Sequence, residues 1–183
     1  MQCVLTRTKM YVACVLGEHR KAADMSLEWH AKILKLLPAQ ANTLEVTFVS
    51  ALSSFAVARE TRNKKYAKHA RACMQKIKGW VSKGCPNCVA HEALLEAEYY
   101  AWKKNRGLAL RRYEAAALLA GRRGLRHIQA MANERHALYV NEIGSDMQES
   151  EYRWKQAVSL FHEWGASHKV DLLRSQRLLE YGH

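Results

Sequence analysis

The residues best suited to chemistry in this chain are Cys85 and Cys88, three apart in the run Cys85-Pro86-Asn87-Cys88, with His91 about one helical turn further on. Two thiols and an imidazole so spaced are the ligands of a zinc ion or the working groups of a dithiol redox centre. A structural zinc site takes four ligands, usually from two such pairs, and the sequence holds only one. A redox centre needs a strand and helix of the thioredoxin kind around it, and the all-helical flanks supply no such strand. The run therefore reads as a proline-terminated loop entering a helix, and no metal or other cofactor is expected. The nine histidines (His19, His30, His69, His91, His127, His136, His162, His168 and His183) are scattered with no H-E-x-x-H motif, so surface or partly packed positions are expected of them. Serine-nucleophile motifs, a P-loop and a Gly-rich dinucleotide loop are also missing, and no catalytic activity is expected.

Those residues must be positioned by helices. Ala, Leu, Lys, Arg and Glu dominate the 183 residues, and only two prolines occur, Pro38 and Pro86. Such residues lose little side-chain freedom in a helix. Apolar residues at i, i+3, i+4 and i+7 mark about nine stretches: roughly 3 to 16, 19 to 37, 42 to 59, 63 to 82, 88 to 104, 107 to 121, 125 to 142, 147 to 164 and 166 to 180. Breaks at Gly17, Thr61 to Asn63, Asn105 to Gly107 and Gly144 to Ser145 look like turns inside antiparallel pairs, where Gly or Asn takes the left-handed cap position. Breaks at Pro38, Gly84 to Pro86, Gly121 to Gly124 and Gly165 separate one pair from the next.

The second helix of each pair opens with a small-and-aromatic pattern. It is clearest as Ala109, Tyr113, Ala116 and as Ser150, Trp154, Ala157, with weaker copies at Tyr66, Ala70, Cys73 and at Ala23, Leu27, His30. Copies lie about 40 residues apart, a period of helical-pair solenoids. A small residue lets the second helix approach the first, and the aromatic fills the space between neighbouring pairs. The expected fold is all-α: a tetratricopeptide-like α-α superhelix in a single domain, with pairs at 1–38, 39–86, 87–123 and 124–165 and a terminal helix at 166–183.

Charge and cysteine usage narrow the setting. Five cysteines, odd in number and mostly among apolar helical positions, fit a reducing compartment. Arg7 and Lys9 interrupt the first apolar residues, and no stretch has the roughly 18 uninterrupted apolar residues of a membrane span, so a cytoplasmic protein with no membrane partner is expected. The formal charge of +12 raises nucleic acid, an anionic membrane or an acidic protein surface as partner, the membrane being the one set aside. From Arg62 to Lys83 there are eight Lys or Arg residues and no acidic one. On a helical wheel Lys64, Lys68, Arg71 and Lys78 fall on one side, while Tyr66, Ala70, Cys73, Ile77 and Val81 fall on the other. The first set reads either as a merely solvated face, which keeps the chain soluble, or as a candidate docking face, for which an acidic protein segment is the favoured target. A basic nucleic-acid-binding helical repeat is the alternative, although no regular pair of base-reading residues recurs.

The half of the chain from Leu94 to Leu173 also resembles a known family. Leu94-Leu95-Glu96-Ala97-Glu98, Arg112-Tyr113-Glu114-Ala115-Ala116, Gly124-Leu125, Ala132-Asn133-Glu134, Trp164-Gly165-Ala166 and Lys169-Val170 occur in that order. Together they look like the tetratricopeptide-like region of large multi-sensor signalling proteins, which join a serine/threonine kinase, a predicted ATPase and often GAF, histidine kinase or cyclase domains. Pro86-Asn87 with His91 fits the loop before this region. Arg135 and His136 depart from the pattern, since the family usually has apolar residues there. The resemblance implies a fragment or remnant of a signalling protein, a scaffold that relays signals by binding a protein segment or a neighbouring domain, and no catalysis. Glu98, Glu134 and Lys169 within these motifs read either as a ligand-binding cluster inside the superhelix or, preferred here, as charges hydrogen-bonded between adjacent helices. Trp164-Gly165-Ala166 reads as a packing joint with Trp164 in the core, Gly165 ending one helix and Ala166 opening the next.

Overall fold

The computed structural model describes residues 2–36 and 40–181, with side chains described over 2–36 and 43–177. The described residues form nine α-helices and one short 3-10 turn, with no strand. In order they are α1 (Gln2–Val15), α2 (His19–Leu36), α3 (Gln40–Thr61), α4 (Lys64–Ser82), the turn Pro86–Cys88, α5 (Val89–Trp102), α6 (Arg106–Arg122), α7 (Arg126–Glu142), α8 (Met147–Glu163) and α9 (Ser167–Tyr181). The break expected at Pro38 lies outside the described residues.

Helices α1/α2, α3/α4, α5/α6 and α7/α8 pack as antiparallel hairpins, and α9 packs on the last of them. The first helices of successive hairpins also touch, α1 on α3, α3 on α5 and α5 on α7, forming the inner layer of an α-α superhelix. The even-numbered helices make the outer layer. The small-and-aromatic pattern is the glue: Ala109, Tyr113, Ala116, Ser150, Trp154, Ala157, Tyr66, Ala70 and Cys73 are all buried, and only Leu27 of the weakest copy is half-exposed.

Helix ends follow from local chemistry. At Gly165 the amide donates to the His162 carbonyl and the next amide, Ala166, reaches back to Phe161, which closes α8 in a Schellman turn. Gly165 has φ +83°, where any Cβ would be strained. Asn63, Asn105 and Asp146 then restart α4, α6 and α8 by accepting from Lys65, Leu108 and Gln148 amides. Within the pairs, Gly17 and Gly144 hold the left-handed position in the first and fourth, whereas Arg62 (φ 57°) and Lys104 (φ 59°) hold it in the second and third.

One packing expectation is overturned. Trp164 is 37 % exposed, not a core residue; its ring stacks on His127 at 5.4 Å, at the rim of the joint. Trp164 is the cap residue just after Glu163, where the chain leaves α8, so its side chain projects past the interface. Phe161, one turn earlier, is the ring that fills the joint, with no exposure.

Candidate functional site

Helix α7 is buried on nearly every side, with residues 130 to 137 all covered, yet that stretch carries Asn133, Glu134, Arg135 and His136. Buried charge on this scale must find partners, and it does. The Arg135 guanidinium grips Glu98 of α5 in two bonds, Nε to Oε1 at 2.7 Å and Nη2 to Oε2 at 2.9 Å. Tyr113 of α6 donates its hydroxyl to Glu98 Oε1 at 2.7 Å, and Arg59 of α3 approaches Oε2 at 3.4 Å. Arg59 also holds Glu142 at 3.1 Å. The third Arg135 nitrogen, Nη1, donates to His19 Nε2 at 3.2 Å, across from the first pair. A second pair lies alongside: Lys169 of α9 donates to Glu134 at 2.6 Å with both groups nearly sealed from solvent.

Glu98, Glu134 and Lys169 are thus hydrogen-bonded between helices, each charge matched by an opposite one. Arg135 and His136 do not disturb the packing. Arg135 supplies the main counter-charge of Glu98, and His136 stacks on Tyr113 at 5.6 Å. Asn133 bonds only within its own helix, to the Gln129 carbonyl at 2.9 Å, and stays outside the network. Arg59 and His19 are members that the sequence reading missed. A signal for Arg59 exists, because it closes a run free of charge from Val46 to Ala58.

Electrostatics follow from burial and pairing. Burial acts to raise the Glu98 carboxyl, but Arg135 and Arg59, with hydrogen bonds from Arg135 and Tyr113, outweigh it and hold the group at about 2, below its ordinary 4.5. Burial, then the Arg135 charge, lowers His19 to about 3, so at neutral pH its Nε2 is free to accept from Arg135. Burial likewise lowers His91 and His136 to about 4. His30, His91 and His136 are buried, a correction to the surface or partly packed positions expected of the histidines. The pH consequence has a definite sign. His19, His91 and His136 each have a folded pKa below the ordinary 6.5, so their contribution to stability is fully present above that value and declines as pH falls toward about 3 to 4. Glu98 adds a second loss as pH falls from 4.5 toward about 2. Thermal melts from pH 7 downward should show a steady drop beginning near 6.5; a melting temperature flat to pH 4 would mean the histidines are solvated.

Beside the network opens a recess of about 890 Å3 between the start of α2, the end of α3 and α7, bordered by Glu18, Arg20, Arg59, Glu60, Arg135 and Glu142. Its wall carries both signs of charge. It suits no single-signed ligand, and Arg135 is already occupied by Glu98.

The basic face of α4 is where the helical wheel put it. Lys64, Lys68, Arg71 and Lys78 are exposed, while Tyr66, Ala70, Cys73 and Ile77 are buried and Val81 is half-buried. Two of the four are not free of local partners. Lys78 pairs with Glu96 of α5 at 3.3 Å, and the Arg71 guanidinium lies 5.9 Å from the Trp102 ring. Lys64 and Lys68 have no acidic partner among the described residues. The neighbouring outer helix α6 continues the face: segments 62–83 and 103–126 together hold sixteen of the 29 Lys and Arg residues but one of the 17 acidic ones, Glu114. The rest of the chain is therefore slightly acidic, and the excess charge belongs to two consecutive outer helices and the residues that flank them.

The cysteine loop does not assemble a third ligand. Cys88 Sγ lies 3.1 Å from Cys85 Sγ, but His91 Nδ1 donates to its own loop, to the Asn87 carbonyl at 3.0 Å, and its ring sits edge-on to Phe48 at 4.8 Å. Burial, then Cys85, pushes the Cys88 thiol up to about 12, away from a reactive thiolate. No family model matches the chain, and neither the curated proteins nor the solved structures contain a match.

Proposed function

We propose that this chain is a non-catalytic interaction scaffold that captures an acidic protein segment, or an acidic face of a neighbouring signalling domain, on the basic surface of α4 and α6. The observation that supports this reading is the segregation of charge. Inside the superhelix each buried charge has an opposite partner, whereas outside, on α4 and α6, positive charge is in excess, with Glu96 pairing both Lys78 and Arg112. Such a field steers an acidic partner to its place and rejects basic ones. No helix among the described residues is long and apolar enough to cross a membrane, and a cytoplasmic role in signal relay, as the Leu94–Leu173 motifs imply, belongs to the same proposal.

The test is the triple variant Lys64→Glu/Lys68→Glu/Arg71→Glu, all three positions exposed. Circular dichroism should keep its helical signal. Affinity for a fluorescein-labelled polyglutamate peptide should fall about tenfold, the sum of three surface charge interactions of about 0.5 kcal/mol each, and its salt dependence should flatten. Unchanged peptide affinity rejects the docking face. If a single-stranded RNA oligonucleotide binds more tightly than the peptide, with a steep salt dependence that the same variant relieves, the nucleic-acid alternative replaces it.

A further inference from the structure

The small-and-aromatic pattern ends in Ala116 on α6 and Ala157 on α8, each burying a methyl group. At the equivalent positions of the first two pairs stand His30 on α2 and Cys73 on α4, both buried. Where later pairs pack a methyl, the first two bring a nitrogen and a sulfur face to face: His30 Nε2 lies 3.8 Å from Cys73 Sγ. One turn before Cys73 on the same face of α4 is His69, whose Nε2 lies 3.8 Å from the same sulfur. The His30 and His69 rings meet edge-to-face at 5.4 Å, and the three donor atoms lie within 4.8 Å of one another. This is the one group of three such donors that converges among the described residues.

We propose that His30, His69 and Cys73 form a binding site for a borderline-soft divalent cation of the zinc type, which clips α2 to α4 across the first two helix pairs. The donor set is chemically selective, because two imidazoles and a thiolate suit zinc and disfavour magnesium or calcium. Nitrogen-to-sulfur separations of 3.8 Å are close to those set by metal bonds of about 2.0–2.1 Å to nitrogen and about 2.3 Å to sulfur at tetrahedral angles, so binding requires chiefly that the two imidazoles draw together from within the 4.8 Å that encloses the three donors. Two hydroxyls border the site: Ser26 Oγ is 2.7 Å from His69 Nε2, and Thr47 Oγ1 is 3.4 Å from His30 Nε2. They are placed to hold a water in the fourth position, with no exposed surface of their own. Without metal, Ser26 and Thr47 satisfy the two rings.

Burial acts in opposite ways on the two kinds of donor. Burial, then Lys76 and His69, lowers His30 to about 4, and burial, then Lys76, lowers His69, so both imidazoles are neutral and ready to donate at pH 7. Only the Cys73 proton must leave as the metal–sulfur bond forms. Burial holds that thiol up at about 12, while the Lys76 charge acts in the other direction. Access is from the His69 side, the half-exposed member of the three.

Cobalt(II) reports thiolate ligation by its colour and tests the site. The reduced, chelator-treated full chain is titrated with cobalt chloride and then with zinc chloride. Expected are a thiolate-to-cobalt charge-transfer band and visible bands of a four-coordinate ion, saturating at one equivalent and displaced by zinc. The sulfur band should vanish in Cys73→Ser. In His69→Gln, whose half-exposed site keeps the fold if Cys73→Ser does not, affinity should fall by more than about tenfold, the scale on which even outer-shell changes act. The Cys85→Ser/Cys88→Ser variant should bind like the wild type. Absence of a sulfur band in the wild type, or a band that survives Cys73→Ser and disappears in Cys85→Ser/Cys88→Ser, overturns the proposal.

Discussion

Replacing Glu98 by Gln should destabilise the fold by about 3–5 kcal/mol, the cost of leaving buried guanidinium charge without its carboxylate. The carboxylate has no exposed surface and takes two bonds from Arg135, one from Tyr113 and a longer one from Arg59. Gln keeps the shape but not the charge, and its amide nitrogen would face guanidinium donors at one of the two oxygen positions. For a chain of this size each kcal/mol shifts the melting temperature by about 2–4 °C, so a drop on the order of 10 °C is expected. The double variant Glu98→Gln/Arg135→Met separates the charge effect from a packing effect. Removing both members relieves the orphaned cation, and Arg59 retains Glu142, so the double variant should recover much of the loss. A loss in Glu98→Gln below about 1 kcal/mol would mean that water reaches the cluster and screens it as it does a surface pair.

A comparable loss, again about 3–5 kcal/mol, is expected for Phe161→Ala, since that ring is fully buried at the joint between α8 and α9 and few side chains can close over the space it leaves. Lys169 lies over the Phe161 ring at 5.6 Å, so the same cavity also loosens the Lys169–Glu134 pair. Trp164→Ala, three residues away, should cost less, about 1 kcal/mol, because the residue is more than a third exposed and its ring contacts are with His127 and Phe161 at the rim. Urea melts of the two variants give the comparison directly. Equal losses would return Trp164 to the core.

The contrast between Phe161 and Trp164 shows what a one-dimensional pattern carries. Helix boundaries at Gly17, Gly144 and Gly165 were legible because glycine there answers a backbone demand that the sequence states by itself. The same demand at Arg62 and Lys104 was not, since neither residue advertises a positive φ. Buried stripes such as Ala109, Tyr113 and Ala116 were legible from period alone, but a wheel does not say where a helix stops touching its neighbour, and Trp164 falls just beyond that point. The charge network was half visible. Glu98, Glu134 and Lys169 stood out as charges in apolar stretches, but their partners are set by how the pairs curl: Arg135 meets Glu98 from 37 residues away. The cation site hid for the same reason, because His69 and Cys73 are spaced for one helix face while the third donor, His30, comes from another pair.

The bond from Arg135 to His19 joins residues 116 apart in sequence and sets the fourth hairpin against the first. Lys169 continues this approach, its ammonium coming within about 4.0 Å of where a side chain on Gly17 would begin. In an open solenoid each unit touches only the next, and the stack can unzip from its ends one unit at a time. Here the two ends of the stack are fastened to each other through a shared polar centre. Fraying of either end takes the partner of this bond from a buried polar group at the other, Arg135 or the neutral His19, which couples the first and fourth hairpins. Assembly carries a corresponding delay: this contact spans 116 residues, and closing so long a loop comes late, after the local hairpins have formed.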